Sequence, residues 1–229
     1  MQHLILLHGA IGSKEQLMPL AQMLQDDFMV HIGNFPGHGG EPIPRVPFSI
    51  QLFAEDVIDY MEKNDIASAD IFGYSMGGYV AMYIAKYRTE KVKHVITLAT
   101  KFYWDEATAA KEVKMLNAET IQQKVPAFAQ QLSNMHAPGD WTKVLEKTAE
   151  LLTALGSFNT LQPADYATIA TPCLLLLGDQ DKMVTLDETA SVYKQLPNAE
   201  LGVLPNTPHP VEQVNPEVLA FLIKKFLAV

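Results

Sequence analysis

Ser75 stands in Gly73-Tyr74-Ser75-Met76-Gly77-Gly78, directly after the apolar stretch Ala69-Asp70-Ile71-Phe72. Gly-x-Ser-x-Gly between an apolar run and a helix-like segment reads as a nucleophile elbow. Such a turn is tight and strained, and it projects the serine hydroxyl above a parallel sheet. Small residues at positions 73, 77 and 78 let strand and helix approach closely, and the helix N-terminus behind Ser75 favours negative charge developing there. A serine hydroxyl is a poor nucleophile at neutral pH, so it needs a base and a group that orients the base. Both should come from loops at the carboxyl ends of later strands, the acid first and the histidine second. The apolar run 172–177 ends in Gly178-Asp179-Gln180-Asp181, and the run 199–204 ends in Pro205-Asn206-Thr207-Pro208-His209. The pattern around Ser75 is common by chance. Together with these two loops it points to attack by Ser75 on an acyl carbonyl.

The chain has seven histidines. His3 and His31 fall on strands and read as structural or surface groups, and His94 opens a strand. His136 lies in a loop before Pro138 and reads as a surface side chain, with substrate contact as the alternative. His8 and His38 each precede a glycine in a loop beside the site, but neither follows the acid in chain order. A metal centre from His8, His38 and His209 lacks His-x-x-x-His or carboxylate spacing, so no metal and no cofactor is expected.

These residues need a scaffold, and the rest of the chain supplies one. Leu4 to Leu7 is a continuous apolar run closed by His8-Gly9, as for a strand buried on both faces. A helix is predicted from Leu17, because Pro19 suits only a first turn. A strand at 28–32, a loop to about 48, a helix from Ser49 and the elbow strand follow. The elbow helix spans about 76–87, and another strand 92–99. Strand and helix alternate, which means right-handed crossovers and a parallel sheet. From Lys101 to about Pro163 no strand pattern occurs. Three helices are predicted there, roughly 105–117, 119–134 and 140–156, with breaks at Asn117, Ala137-Pro138-Gly139 and Gly156. This segment reads as a helical lid, residues 101–163, inserted into a core of residues 1–100 and 164–229. An insertion at a strand's carboxyl end overlies the place where open α/β sheets bind ligands. Strands at 172–177 and 199–204, a helix near 187–195 and a last helix capped by Asn215-Pro216 complete the core.

Bulk properties exclude some partners. At 229 residues and 48% apolar content the chain fits one globular domain. A formal charge of −9 disfavours nucleic acid and anionic membrane surfaces. No run is long and apolar enough to span a bilayer, and Met1 to Leu7 has no basic leader region. The single cysteine, Cys173, cannot form an internal disulfide, and a cytoplasmic location is the simplest expectation. Oligomeric state is not readable.

Five segments in one order resemble the α/β-hydrolase fold family across nearly the whole chain. They are Leu7-His8-Gly9-Ala10, Pro36-Gly37-His38-Gly39, the Gly73–Gly78 elbow, Gly178-Asp179-Gln180-Asp181 and His209. The resemblance implies a three-layer α/β fold of about six mostly parallel strands, with the lid inserted after the fourth. The antiparallel strands that open many members have no counterpart here. It implies Ser75 as nucleophile, His209 as base and Asp181 as acid, with Asp179 and then Asp105 as competitors. It also implies an oxyanion hole from the backbone N–H groups of Ala10 and Met76. Two positions depart from the family's pattern: Asn34 stands where an aspartate is usual, and Pro208 replaces the glycine before the histidine.

A serine nucleophile is unlike the aspartate of the dehalogenase and epoxide-hydrolase branches. Hydrolysis of a small carboxylic ester or thioester is the plain reading. A cofactor-free lyase or C–C bond hydrolase is the alternative, since the elbow is similar to that of the lyase making a menaquinone precursor. There an arginine commonly follows the second glycine, and here it is Tyr79. A non-turnover ligand-binding protein is the alternative of another class. Ile11, Tyr74, Phe102, Tyr103 and Trp104 are candidate substrate contacts. Phe102, Tyr103 and Trp104, with Met115, Phe128, Met135 and Trp141, are the large apolar residues of the lid, and of these seven a minority is expected to face substrate.

Overall fold

The computed structural model describes residues 1–228. In β1 (Gln2–Leu7), Leu4 and Leu6 point to one side and Ile5 and Leu7 to the other, and all four are buried. A strand apolar on both faces must be covered on both. β1 lies inside a six-stranded sheet with β2 (Phe28–Ile32), β3 (Ala69–Tyr74), β4 (Val92–Leu98), β5 (Cys173–Gly178) and β6 (Ala199–Leu204). The order is β2-β1-β3-β4-β5-β6, and every adjacent pair is parallel.

Alternation along the strands sorts the core into two halves. Ile5, Leu7, Ile71, Val95 and Leu175 pack with α2 (Ile50–Lys63), α3 (Met76–Tyr87) and α9 (Leu186–Gln195). Leu4, Leu6, Phe72, Ile96, Leu98 and Leu174 pack with α1 (Met18–Leu24) and α10 (Pro216–Phe226). The result is a three-layer sandwich. After β1 the chain pairs β2 on one side and β3 on the other, so strand order reverses between β1 and β3. Ligands of open α/β sheets bind in the crevice beyond such a reversal. The loop after β1 carries Ala10 and Ile11, and the turn after β3 carries Ser75.

Two helix boundaries differ from expectation. A 3-10 turn at Lys14–Leu17 precedes α1, with the Ser13 N–H donating to Gln16 Oε1 at 3.3 Å. Pro19 then falls in the first turn of α1, where its missing N–H has no intrahelical acceptor to lose. Between β4 and β5 lie α4 (Glu106–Val113), α5 (Ala118–Lys124), α6 (Pro126–His136), α7 (Trp141–Ser157) and α8 (Pro163–Tyr166). The single helix expected at 119–134 is two helices, because Pro126 forces Val125 to φ −139°, ψ 60°, outside helical geometry. α7 ends at Ser157, one residue beyond the break expected at Gly156. A Cβ there would lie 2.5 Å from Ala109 Cβ and 2.9 Å from the Asp105 carbonyl oxygen, so glycine permits the close contact of α7 with α4. Among the described residues no helix is long and apolar enough to cross a membrane.

Candidate active site

Gly73 and Gly77 make the elbow possible. A Cβ on Gly73 would sit 2.3 Å from the Gly77 carbonyl, and one on Gly77 would sit 2.4 Å from the Leu7 carbonyl oxygen. With neither present, α3 starts directly against β1 and β3, and Ser75 takes φ 52°, ψ −116°. That conformation lies outside even the left-handed helical basin and costs about 1–3 kcal/mol. Backbone contacts hold it. Ser75 N–H donates to Leu98 O at 2.8 Å, and Ser75 O accepts from Gly78 N–H and from Thr100 Oγ1, each at 3.1 Å.

The turn places Ser75 Oγ 3.4 Å from His209 Nε2. His209 Nδ1 donates to Asp181 Oδ2 at 2.8 Å, and Asp181 Oδ1 accepts from the Met183 and Val184 N–H groups, each at 2.8 Å. The Asp181 side chain is only 1% exposed. Burial alone would raise its pKa. The His209 hydrogen bond and the two backbone N–H groups outweigh burial and hold it below the usual carboxylate value. A charged carboxylate on Nδ1 leaves the Nε2 lone pair toward Ser75, the tautomer that can take a proton from the hydroxyl.

The two loops are tied together. Gln180 N–H donates to Thr207 O, and Thr207 N–H to Asp179 Oδ1, each at 3.1 Å. Tyr74 Oη donates to the His209 carbonyl at 3.1 Å, so the histidine between Pro208 and Pro210 is anchored from the elbow strand. The other acids lie elsewhere. Asp179 is exposed and braces the Thr207 backbone, while Asp105 is the half-buried cap of α4, accepting from Thr108 N–H.

Two cavities meet at Ser75. An inner chamber of about 70 Å³ is lined by Ile50, Met76, Trp104, Leu151 and Leu155. An outer cleft of about 340 Å³ is lined by Ile11, Tyr74, Met115, Phe128 and Met135. Ala10, Ser75, Glu112, Leu152, Met183 and His209 border both. The Met76 N–H, first in α3, has no intrahelical acceptor, and Met76 lines the inner chamber. Ala10 and Ile11 form the turn closed by Gly12 N–H on Gly9 O at 3.2 Å, with Ile11 at φ 51°.

Two expected contacts are not in these walls. Glu188 Oε1 accepts the Phe102 N–H at 2.6 Å and the Tyr103 N–H at 2.8 Å, drawing that segment toward α9. Phe102 packs edge-on against Tyr166, and Tyr103 is 57% exposed. Trp141 packs inside the insertion with Ile121 and Leu132. Trp104, Met115, Phe128 and Met135 do line the cavities, more than the expected minority. Lys101, Glu112 and Thr148, polar residues that no motif marks, line the cavities as well. Glu112 follows Ala109 by three residues, so the two share the face of α4 that packs on α7.

A family model described as the alpha/beta hydrolase fold matches residues 2–140, more than half of the chain. The chain belongs to the alpha/beta hydrolase family. The pimeloyl-[acyl-carrier protein] methyl ester esterase of Chromobacterium violaceum is 28% identical over 89% of this chain and 83% of its own length. Among solved structures, the meta-cleavage product hydrolase of Pseudomonas fluorescens IP01 superposes with a TM-score of 0.85 at 16% identity, covering 100% of this chain and 91% of that one. MenH from S. aureus gives 0.80 at 20% identity, covering 99% and 93%. At such identities the structural likeness speaks for the fold alone.

Three further histidines of this alpha/beta hydrolase form a buried group behind the Ala10 loop. His8 donates through Nδ1 to Gly9 O at 2.8 Å and accepts the Phe35 N–H on Nε2 at 3.1 Å. His136, expected at the surface, is 1% exposed. It donates through Nε2 to Ile11 O and accepts the Gly39 N–H on Nδ1, each at 3.0 Å, so α6 holds the strained Ile11 turn. His38 lies between them, its ring 5.3 Å from His8 and 6.0 Å from His136. Asn34 secures the same region, accepting from Lys14 N–H at 2.7 Å and donating to Gly39 O at 3.2 Å. His94 instead meets the fully buried Asp70 at 2.7 Å.

Burial keeps all three rings neutral, pushing His8 down to about 4, His38 well below its ordinary value, and His136 below it too. A lowered folded pKa means that the unfolded chain binds more protons. The stabilisation is therefore full above the unfolded value of 6.5 and is lost as pH falls through the folded values. His8 alone contributes about 3 kcal/mol across that window. Urea midpoints should fall steadily between pH 6.5 and pH 5, before most carboxylates titrate. A flat profile over that interval would contradict the buried-neutral assignment.

Proposed function

We propose that this alpha/beta hydrolase cleaves a small carboxylic ester or thioester through an acyl-enzyme on Ser75. The observation that carries the reading is the unbroken Ser75–His209–Asp181 hydrogen-bond chain, set on a strained elbow and bordering both cavities. His209 Nε2 takes the Oγ proton as Oγ attacks the carbonyl, and Asp181 stabilises the imidazolium. The developing oxyanion faces the Ala10 and Met76 N–H groups, each such donor being worth roughly 3–4 kcal/mol. His209 then protonates the leaving alkoxide or thiolate and next activates the water that releases the acid. Helices α4 to α7 act as the lid, and the inner chamber holds a few carbon atoms. The name of the Chromobacterium relative, a methyl ester esterase, supports the reaction class.

A lyase or C–C hydrolase would ask for cationic groups facing a substrate carboxylate. Arg88 is engaged by Glu62 and Glu90, Arg45 is exposed, and Lys101, the cation that lines the inner chamber, is held by Met183 O between Glu112 and Glu188. Tyr79 Oη is bonded to Asn159 and accepts the Leu161 N–H at 2.8 Å. These side chains favour the ester reading. A protein that only binds its ligand has no need of a base aligned on a serine. A fluorophosphonate probe should label Ser75, read by peptide mass spectrometry, and p-nitrophenyl acetate and butyrate should be hydrolysed. Folded protein that neither labels nor hydrolyses them overturns the proposal.

A further inference from the structure

The polar groups inside the cavities do not suit a purely alkyl substrate. Glu112 on α4 is 4% exposed and borders both cavities, and its Oε2 has no hydrogen-bond partner. Thr148 on α7 is 1% exposed and lines the outer cleft, and its Oγ1 is likewise unpartnered. Buried polar atoms are almost always paired, and leaving a carboxylate oxygen without a donor is costly. Two residues that carry such atoms line one cleft, on helices packed against each other, and point to a partner that arrives with the ligand.

Lys101 does not fill that role. Its Nζ donates to Met183 O at 2.6 Å and stands 3.8 Å from both Glu112 Oε1 and Glu188 Oε2. One lysine between two glutamates leaves the cluster formally negative, so a substrate carboxylate would meet like charge. The chemistry of the orphaned pair is more specific than charge. A carboxylate oxygen only accepts, whereas a threonine hydroxyl can also donate. A substrate hydroxyl satisfies both, donating to Glu112 Oε2 and accepting from Thr148 Oγ1.

We propose that Glu112 and Thr148 form a subsite for a neutral hydroxyl carried by the substrate beyond its scissile ester. The assignment of that ligand as an ester rests on the hydrolase reading of Ser75. The test uses methyl esters of alkanoic acids, ω-hydroxyalkanoic acids and alkanedioic half-acids, from propanoate to octanoate. At the chain length that reaches Glu112, the hydroxy ester should exceed its unsubstituted counterpart about tenfold in kcat/KM. The half-acid should fall below both. Glu112→Leu should bring the hydroxy-to-alkyl ratio to one or less, and the near-isosteric Thr148→Val should lower it.

The same esters titrated calorimetrically into Ser75→Ala protein give a readout that needs no turnover. Ester hydrolysis without a hydroxyl preference, or a ratio unchanged in folded Glu112→Leu and Thr148→Val, overturns the subsite and leaves the hydrolase reading standing. Glu112-dependent hydroxyl preference in binding, with Ser75 unlabelled and no ester cleaved, overturns the hydrolase reading and keeps the subsite.

Discussion

Ser75→Ala is expected to lower kcat for ester hydrolysis by about 10⁴- to 10⁶-fold and to leave the fold intact. Its hydroxyl reaches only His209 Nε2 among the described residues, at 3.4 Å, and nothing structural depends on that bond. The backbone, not the side chain, fixes the turn through Leu98, Gly78 and Thr100. Alanine at φ 52° is strained as serine is, so stability should change by no more than roughly 0.5 kcal/mol. Ser75→Gly supplies a sharper comparison. Glycine relieves the strain, and after its larger unfolded-state entropy is deducted it should still gain about 1 kcal/mol over alanine. Urea midpoints of the two variants measure that gain. Hydrolysis surviving in Ser75→Ala would place the nucleophile elsewhere, and equal midpoints would mean that the elbow carries no strain.

The same elbow shows what a sequence can disclose. Gly73, Ser75, Gly77 and Gly78 are neighbours in the chain, and their constraint is local, so pattern and geometry coincide. Asp181 and His209 were legible for a related reason: each sits within a few residues of a strand end, and a parallel sheet brings those ends to one edge. Side chains placed by long-range packing were not. His136 reaches Ile11, 125 residues away, and nothing around it in the chain announces that contact. Phe102 and Tyr103 read as lining an acyl pocket because they are large apolar residues of the lid. The Glu188 carboxylate, 86 and 85 residues further on, takes their N–H groups and turns them aside. Glu112 reads as surface charge on a short helix until α7 covers it. Local chemistry and sheet topology are therefore readable in advance, and the walls of the cavity follow from helix packing that periodicity does not determine.

Replacing the acid separates orientation from charge. In Asp181→Asn, kcat should fall about 10⁴-fold, the scale seen when a triad acid is changed to its amide, while KM changes little. Oδ1 of the amide can still accept from the Met183 and Val184 N–H groups, so the loop keeps its shape. The NH₂ then faces His209 Nδ1, which must accept rather than donate. The ring proton moves to Nε2, and no lone pair remains toward Ser75. The base is lost although its ring has not moved, so fluorophosphonate labelling should slow in parallel with kcat. Asp179→Asn and Asp105→Asn are the matched controls. Asp179 is exposed and Asp105 half-buried, and each serves a loop or helix backbone rather than the imidazole, so activity should stay within a few-fold of the parent. An Asp181→Asn enzyme within tenfold of the parent, or an Asp179→Asn enzyme as damaged as Asp181→Asn, would remove Asp181 from the role that its 2.8 Å contact with His209 implies.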